Sequence, residues 1–305
     1  MMKEIGSDEL VSTNAPALLD GQSEWVANTA YAAGKIVARS DLNALYRAVY
    51  AVADTETEPP EDDIANNQIP KWQAIGPMNQ WGAFDGKLST VTVGPDGESL
   101  VMVLQPGIIT DVWLGGLKFV SAVRVVATNG DGGPVVYDET KSLRKPVTSW
   151  WDWWFAPFSD ATDVAFTGIP AYRRARVTIT LVTTGTASVG MIAMDRSETL
   201  GRTLWEPSTQ HRNYSARKLD DTWGPTGGTG GVVTRDQSYT VIVEPDDAPR
   251  VARFMDRAMK SPAVWLPDDA AKFEGIRGFG QAVSSNMSYP HSAFVQLELT
   301  IRGFI

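Results

Sequence analysis

Aromatic side chains and carboxylates are the residue types in this sequence that could bind or transform a ligand. Four of the 11 tryptophans lie within the five positions 150–154, and two phenylalanines follow by position 158. Each large aromatic side chain removes about 150–250 Å² from water when it is fully covered. Six such rings in one short stretch therefore indicate a core, an interface or a ligand platform.

We predict that this aromatic stretch is an extended strand, in which alternate side chains point to opposite faces. The rings then divide into two sets, Trp151, Trp153 and Phe155 on one face and Trp150, Trp154 and Phe158 on the other. A strand with aromatic rings on both faces needs cover on both. One cover is the domain's own core, and the other is core again, a neighbouring domain, a neighbouring subunit or a sugar.

Carboxylates offer a second kind of chemistry, the hydrolysis of polysaccharides. Such an enzyme needs two carboxyl groups about 5–9.5 Å apart, and the candidates are Asp111, Asp138, Asp152 and Asp163. Nothing in their spacing selects a pair, and isolated acids on strands are usually solvated. We therefore expect a protein without catalytic activity.

Metal and cofactor chemistry has little support in the sequence. There is no cysteine, and the two histidines, His211 and His291, lie in polar, loop-like contexts outside known spacing motifs. The glycine cluster at 227–231 lacks the Lys-Ser/Thr of a phosphate loop, so we interpret it as a flexible hairpin tip or loop. We expect no metal and no cofactor.

Composition and charge narrow the class of protein further. The net charge of −9 argues against nucleic-acid binding, which needs a basic patch. No apolar run approaches the ~20 residues that span a bilayer, so we expect no membrane insertion. The first six residues lack the apolar core of a signal peptide, so we expect synthesis in a cytoplasm without export by the usual route.

The elements that position these residues begin with a small aromatic unit at 21–76. Trp25, a Tyr31-x-x-Gly34-x-x-Val37 turn and strand, a second segment carrying Tyr46, a proline-containing loop and Trp72 follow one another. This order resembles the small carbohydrate-binding modules of chitinases. The resemblance implies a small β module in which Trp25, Tyr46 and Trp72 form a sugar platform. The alternative is that these rings are the core of a small sheet.

The segment 40–54 has two interpretations. Its apolar residues repeat at helical spacing, and Ser40 is a residue type that caps helices. The turn before it and the tryptophan after it fit a small sheet better. We predict a strand.

The next feature is the junction segment 76–86, Gly-Pro-Met-Asn-Gln-Trp-Gly-Ala-Phe-Asp-Gly. It resembles a junction in tail-associated virion proteins of bacteriophages, where a similar sequence joins a small N-terminal module to a β-sandwich. The resemblance implies a structural role in or near a phage tail. Gly76-Pro77 and Asp85-Gly86 are turn signals, and we expect Trp81 and Phe84 to pack under the sandwich.

The remaining chain reads as short β-branched runs bounded by turns. Without intervening helices, the runs between 87 and 195 indicate an antiparallel sandwich, and their order is similar to galactose-binding-like jelly rolls. Beyond them, strands surround one short helix at 250–260 with Val251, Phe254, Met255 and Met259 on one face. This C-terminal pattern is similar to domains of tail-tip and distal-tail proteins.

These features predict an all-β protein in four parts: an extension (1–20) that orders against a partner, a carbohydrate-binding-module-like domain (21–76), a jelly-roll-like sandwich (77–196) and a β-rich domain (197–305). The resemblances imply a virion protein of the tail, made in the host cytoplasm, that assembles with other tail proteins as a homo-oligomeric ring or trimer and contacts host-surface glycans. The alternatives are a stand-alone carbohydrate-binding or adhesion protein and, third, a polysaccharide-degrading enzyme.

Overall fold

The structure, a computed structural model, describes residues 9–55, 57–144, 149–155, 160–204, 207–220, 224–229, 233–267 and 276–304. Strands account for 49% of it and helices for 12%, so the all-β fold class predicted from the sequence is confirmed. Within these ranges one compact unit holds residues 9–108 and 114–192, and the other holds 109–113 and 193–304. Among the helices described, none is long and apolar enough to cross a bilayer.

A four-stranded sheet forms the first part of the fold. The elements up to residue 84 are β1 (Leu10–Thr13), β2 (Gln22–Glu24), β3 (Ile36–Arg39), β4 (Ala44–Ala48), α1 (Pro60–Asn66), β5 (Trp72–Pro77) and a 3-10 helix (Asn79–Phe84). The sheet has the order β2-β3-β4-β5, parallel between β2 and β3 and antiparallel elsewhere. The predicted strand in 40–54 is confirmed by β4. Asn43, with a φ of 52°, sits in the left-handed region that ends helices and shapes turns.

A six-stranded sheet forms the centre of the same unit. The elements between residues 92 and 195 are β6 (Thr92–Val93), β7 (Leu100–Leu104), β8 (Asp111–Gly115), β9 (Lys118–Asn129), β10 (Val135–Ser142), α2 (Trp150–Phe155), β11 (Asp163–Phe166), β12 (Ala175–Val189) and β13 (Met191–Asp195), of which β8 and β13 contain residues of both units. The large sheet has the order β1-β7-β12-β9-β10, with β6 also pairing with β12, and a three-stranded sheet has the order β11-β8-β13. Along β12 burial alternates as in a strand with one face on the core, since Val177, Ile179 and Leu181 are all fully buried and the residues between them are less so.

Part of the N-terminal extension belongs to this central sheet. β1 pairs with β7 in antiparallel fashion, and the Asn14 side chain donates to Ser99 O (2.9 Å) and accepts from Val101 N (2.7 Å). The expectation that this segment orders against a partner is therefore wrong for residues 10–14, which order against their own chain. The reason is that β7 would otherwise be an edge with unpaired backbone groups.

The junction segment 76–86 contacts residues of the four-stranded sheet and of the six-stranded sheet. The buried Asn79 amide donates to Pro16 O (2.7 Å) and Val93 O (2.8 Å) and accepts from Val93 N (2.8 Å). Phe84 is buried, and its ring centroid lies 6.3 Å from that of Trp81 at an interplanar angle of 61°. Trp81 packs partly against the cluster of Ala38, Leu45 and Met78, and the expected packing of both rings under the sandwich stays a prediction. Gly82 is required here, because a Cβ would lie 2.5 Å from Val91 O.

The described residues of the second unit contain a six-stranded sheet and helix α3. Its elements are β14 (Arg202–Thr203), β15 (Ser208–Asn213), β16 (Ala216–Asp220), β17 (Gly224–Thr229), β18 (Val233–Val243), α3 (Ala248–Ala258), β19 (Ala263–Trp265), β20 (Gly278–His291) and β21 (Phe294–Gly303). The sheet order is β14-β18-β21-β20-β19, β15 pairs with β18, and β16 pairs with β17. The first two glycines of the cluster at 227–231 thus lie in a paired strand and not in a loop.

Helix α3, with the apolar face predicted for it, and strand β21 form the core of this unit. Val251, Phe254 and Met255 are buried on one face of α3, and Met259 packs partly against the same cluster. On β21 the alternating residues Val295, Leu297, Leu299 and Ile301 are buried. The two periods, 3.6 along the helix and 2 along the strand, meet in one hydrophobic cluster.

Candidate binding surface, an exposed aromatic helix

The aromatic stretch forms the short helix α2 (Trp150–Phe155), so the prediction of a strand is wrong. The hydroxyl of Ser149 accepts a hydrogen bond from Trp151 N (3.2 Å), which is the contact of a helix N-cap. Ser149 directly before the run, and ring pairs four residues apart, were the sequence signals for a helix. Apolar and polar residues do not alternate in this stretch, because nearly every position is aromatic. Its pattern therefore could not distinguish a strand from a helix.

The rings of α2 are exposed, so they do not form the core. Trp150 is 75% exposed, Trp151 64%, Trp154 63% and Phe155 64%. The side chain of Trp153 falls outside the part of the chain that the structure describes. Of the covers predicted for this stretch, the domain core is excluded for these four rings, and an interface or a ligand remains.

The four rings pair along the helix at the i, i+4 spacing. Trp150 and Trp154 have ring centroids 6.1 Å apart at an interplanar angle of 57°, and Trp151 and Phe155 have centroids 4.2 Å apart at 34°. Each pair covers part of its own ring faces and leaves edges and outer faces open. We name this surface the aromatic helix. It can bind an apolar groove or stack with a flat ligand.

The predicted sugar platform of Trp25, Tyr46 and Trp72 is not an open surface. Tyr46 is 7% exposed and Trp72 1%, and both belong to a buried cluster with Tyr31, whose ring meets Trp72 edge-on at 5.4 Å. Trp25 packs partly against this cluster. The correction has a simple cause: a four-stranded sheet needs a core, and these rings supply it, which is the alternative weighed from the sequence.

Trp25 is the ring of this cluster nearest to solvent, and a cation covers it. The guanidinium of Arg39 lies 5.2 Å from the ring centroid, in a cation–π contact. Arg39 also makes two hydrogen bonds to the Asp41 carboxylate (3.1 and 2.8 Å), which hold the pKa of Asp41 below its ordinary value. The Arg39 guanidinium, held by Asp41, therefore covers the ring of Trp25 on the solvent side of the cluster.

Two of the carboxylates considered for catalysis, Asp111 and Asp138, are held by other side chains, and the side chain of Asp152 lies outside the part of the chain that the structure describes. The carboxylate of Asp111, buried in the protein, accepts hydrogen bonds from the hydroxyls of Thr110 (2.5 Å) and Ser197. Asp138 binds the Arg124 guanidinium through two contacts (2.8 and 2.6 Å), which lower the pKa of this carboxyl. These are the contacts of structural acids.

The histidines and acids also do not assemble into a metal site in the part of the chain that is described. His211 lies on β15 opposite Arg235, and His291 stacks on Phe294 with centroids 5.7 Å apart. Within the described ranges no group of three or more His, Asp or Glu side chains is placed to hold a metal ion.

Comparison with known proteins gives one similarity. No protein-family model and no curated protein matches the sequence. A solved structure of chitosan-binding module 1 of a chitosanase/glucanase from Paenibacillus sp. IK-5 is partly similar, with 15% identity over 37% of this chain and 81% of that chain and a TM-score of 0.26. A score this low supports no conclusion about fold or ligand.

Proposed function

We propose that this protein is a non-enzymatic structural component of a bacteriophage particle, in or near the tail, and that the aromatic helix attaches it to another virion protein. The observation that carries the attachment surface is the exposure of four paired rings on α2. Large exposed apolar patches on a folded protein mark interaction sites. The phage assignment is supported by the resemblance of the junction segment 76–86 to tail-associated proteins.

The size of the patch indicates how strongly one copy binds. Covering four rings that are now about two-thirds exposed removes roughly 500 Å² from water, which is worth about 12 kcal/mol at ~25 cal/mol per Å². Association itself costs about 4–15 kcal/mol, so one helix alone supports weak binding. Several copies around a tail axis bind more tightly by avidity, and a homo-oligomeric ring or trimer therefore fits this surface.

The direct test of the function is to purify phage particles from the genome that encodes this chain. Mass spectrometry should detect the protein in the particles, and immunogold labelling should place it at or near the tail. Its absence from intact, infectious particles would refute the structural role.

The attachment surface is tested with the double variant Trp150→Ala/Trp154→Ala in the full chain. We expect this variant to fold with an unchanged melting temperature and to be lost from particles assembled in its presence. The matched control is Tyr289→Ala, which removes another ring that is 67% exposed, in the second unit. Equal incorporation of all three proteins would show that the aromatic helix is not the attachment surface.

Glycan binding is the second candidate function, favoured by the same open rings, because sugars stack on exposed aromatic faces. The tilt of 57° within the Trp150–Trp154 pair prevents the two rings from forming one flat platform. This geometry favours binding to an apolar groove of another protein over binding to a sugar. A glycan array probed with the intact chain and with Trp151→Ala distinguishes glycan binding from binding to another protein. Saturable binding that the substitution abolishes would favour a host-surface glycan or a stand-alone adhesion protein.

A further inference from the structure

The second unit contains a cavity of about 830 Å³ whose lining is strongly basic. The segment 196–199 forms one side, and helix α3 forms the other through the face opposite its buried residues. The lining residues are Arg196, Ser197, Glu198, Thr199, Arg250, Arg253 and Arg257. Its volume is within the roughly 300–1,000 Å³ that small-molecule sites have. We name it the arginine cavity.

The contacts of Arg250 and Arg257 show how far this positive charge is balanced. Arg250 donates to Thr199 O (3.1 Å) and, through two of its nitrogens, to the Asp247 carboxylate (3.3 and 3.4 Å). Its guanidinium also lies 3.7 Å from Glu198 Oε2. Arg257 lies 3.8 Å from Glu198 Oε1. Two carboxylates thus balance two guanidinium groups, Asp247 through hydrogen bonds and Glu198 through longer contacts.

The other two arginines of the cavity have no such partner. Within the described ranges, no carboxylate lies within 4.0 Å of the guanidinium of Arg196 or Arg253, and the one hydrogen bond of Arg253 is to Pro249 O (3.1 Å). The cavity therefore carries two unbalanced positive charges in a chain whose net charge is −9. A concave site lined by one sign of charge concentrates ions of the opposite sign.

We propose that the arginine cavity binds a small anion that carries two or more phosphate groups. Guanidinium groups donate parallel hydrogen bonds to two oxygens of one phosphate, so arginine suits this ligand better than lysine does. Arg250, Arg253 and Arg257 follow each other at spacings of three and four along α3, which aligns their side chains on one helix face. The Thr199 hydroxyl adds a donor to the lining, whereas the Ser197 hydroxyl already donates to Asp111. The proposal is independent of the phage assignment and of the aromatic helix.

The experiment titrates the full chain with inorganic tripolyphosphate and follows binding by isothermal titration calorimetry. We expect one saturable site, with orthophosphate binding at least about tenfold more weakly. The variant Arg253→Gln should weaken tripolyphosphate binding about tenfold, and Arg196→Gln/Arg253→Gln more than that, because each loses a charge-assisted contact. A glycerol-phosphate oligomer distinguishes a phosphodiester chain from free oligophosphate as the preferred source of the groups.

Two controls keep the result specific to the cavity. Arg302→Gln removes the same charge from an exposed position of the same unit outside the cavity, and it should bind like the parent. Arg253→Lys keeps the charge without the fork and should fall between Arg253→Gln and the parent. Absence of saturable binding, or equal losses for Arg253→Gln and Arg302→Gln, would overturn the proposal.

Discussion

The cluster around Trp72 and the aromatic helix are both rich in aromatic rings, yet their exposures are opposite. Trp72 is 1% exposed, because β4 and β5 carry it into a sheet core beside Tyr31 and Tyr46. Trp151 is 64% exposed on a six-residue helix whose rings pair mainly with one another. Burial was thus decided by the neighbouring elements and not by the density of rings.

A buried acid explains how the first region places its tryptophan. The carboxylate of Asp63, on α1, accepts hydrogen bonds from Lys71 N (2.7 Å) and Trp72 N (3.1 Å) and from the Asn67 amide (2.9 Å). These bonds fix the start of β5 against the helix. The aromatic helix has one analogous contact in the described residues, the cap from Ser149.

The largest effect that separates the two regions is expected from Trp72→Ala. Truncating a buried tryptophan leaves a cavity and costs about 3–5 kcal/mol, so the free energy of unfolding in urea should fall by that amount. The matched variant Trp151→Ala should change it by no more than about 0.5 kcal/mol, as surface substitutions usually do. Equal losses for the two variants would break the comparison.

A smaller effect is expected from Tyr31→Phe. The Tyr31 hydroxyl accepts a hydrogen bond from Val26 N (2.7 Å) and donates one to Val26 O (3.2 Å), which links the loop after β2 to the buried cluster. Its loss should lower the free energy of unfolding by about 1 kcal/mol. Tyr50→Phe, at a ring that is 54% exposed, is the control and should leave stability unchanged. If both variants unfold alike, the hydroxyl does not hold this loop.

The smallest effect concerns the ion pair of Arg39 and Asp41, in which the Arg39 guanidinium covers the ring of Trp25. The Arg39 hydrogen bonds lower the pKa of Asp41 from its ordinary 3.8, so this carboxyl contributes stability above that value and loses it as the pH falls through the lowered pKa. An NMR titration should give a midpoint for Asp41 below 3.8 in the parent and a higher one in Arg39→Gln. An unchanged midpoint in the variant would show that Arg39 is not the cause.

Burial along strongly periodic segments can be predicted from the sequence. The alternation in β12 and β21 and the helical face of α3 each specify burial directly, since a shift by one residue would expose the apolar set. The strand β4 was also predicted, although the spacing of its apolar residues allowed a helix. The turn at Asn43 and pairing with β3 and β5 decided it.

The candidate binding surface was predicted only in its residues. Aromatic content identified positions 150–155 as a core, an interface or a platform, but hydrophobic residues are not confined to the interior, so their exposure had to come from the structure. Tyr46 and Trp72 do not form an open platform, because their rings are buried in the core of the small sheet. The arginine cavity was missed because its residues come from two segments more than 50 positions apart that meet only in the folded unit.

The pairing of β1 with β7 has a consequence for how copies of the chain meet. β1 is the outermost strand of its sheet, and nearly 90 residues of the chain lie between it and its partner strand β7. Its release would leave β7 with a row of free amide and carbonyl groups, a template that an incoming strand can complete. The identical segment of a second molecule matches that template in register and side-chain fit. The pairing of β1 with β7 is therefore the place where two copies would exchange strands at low cost.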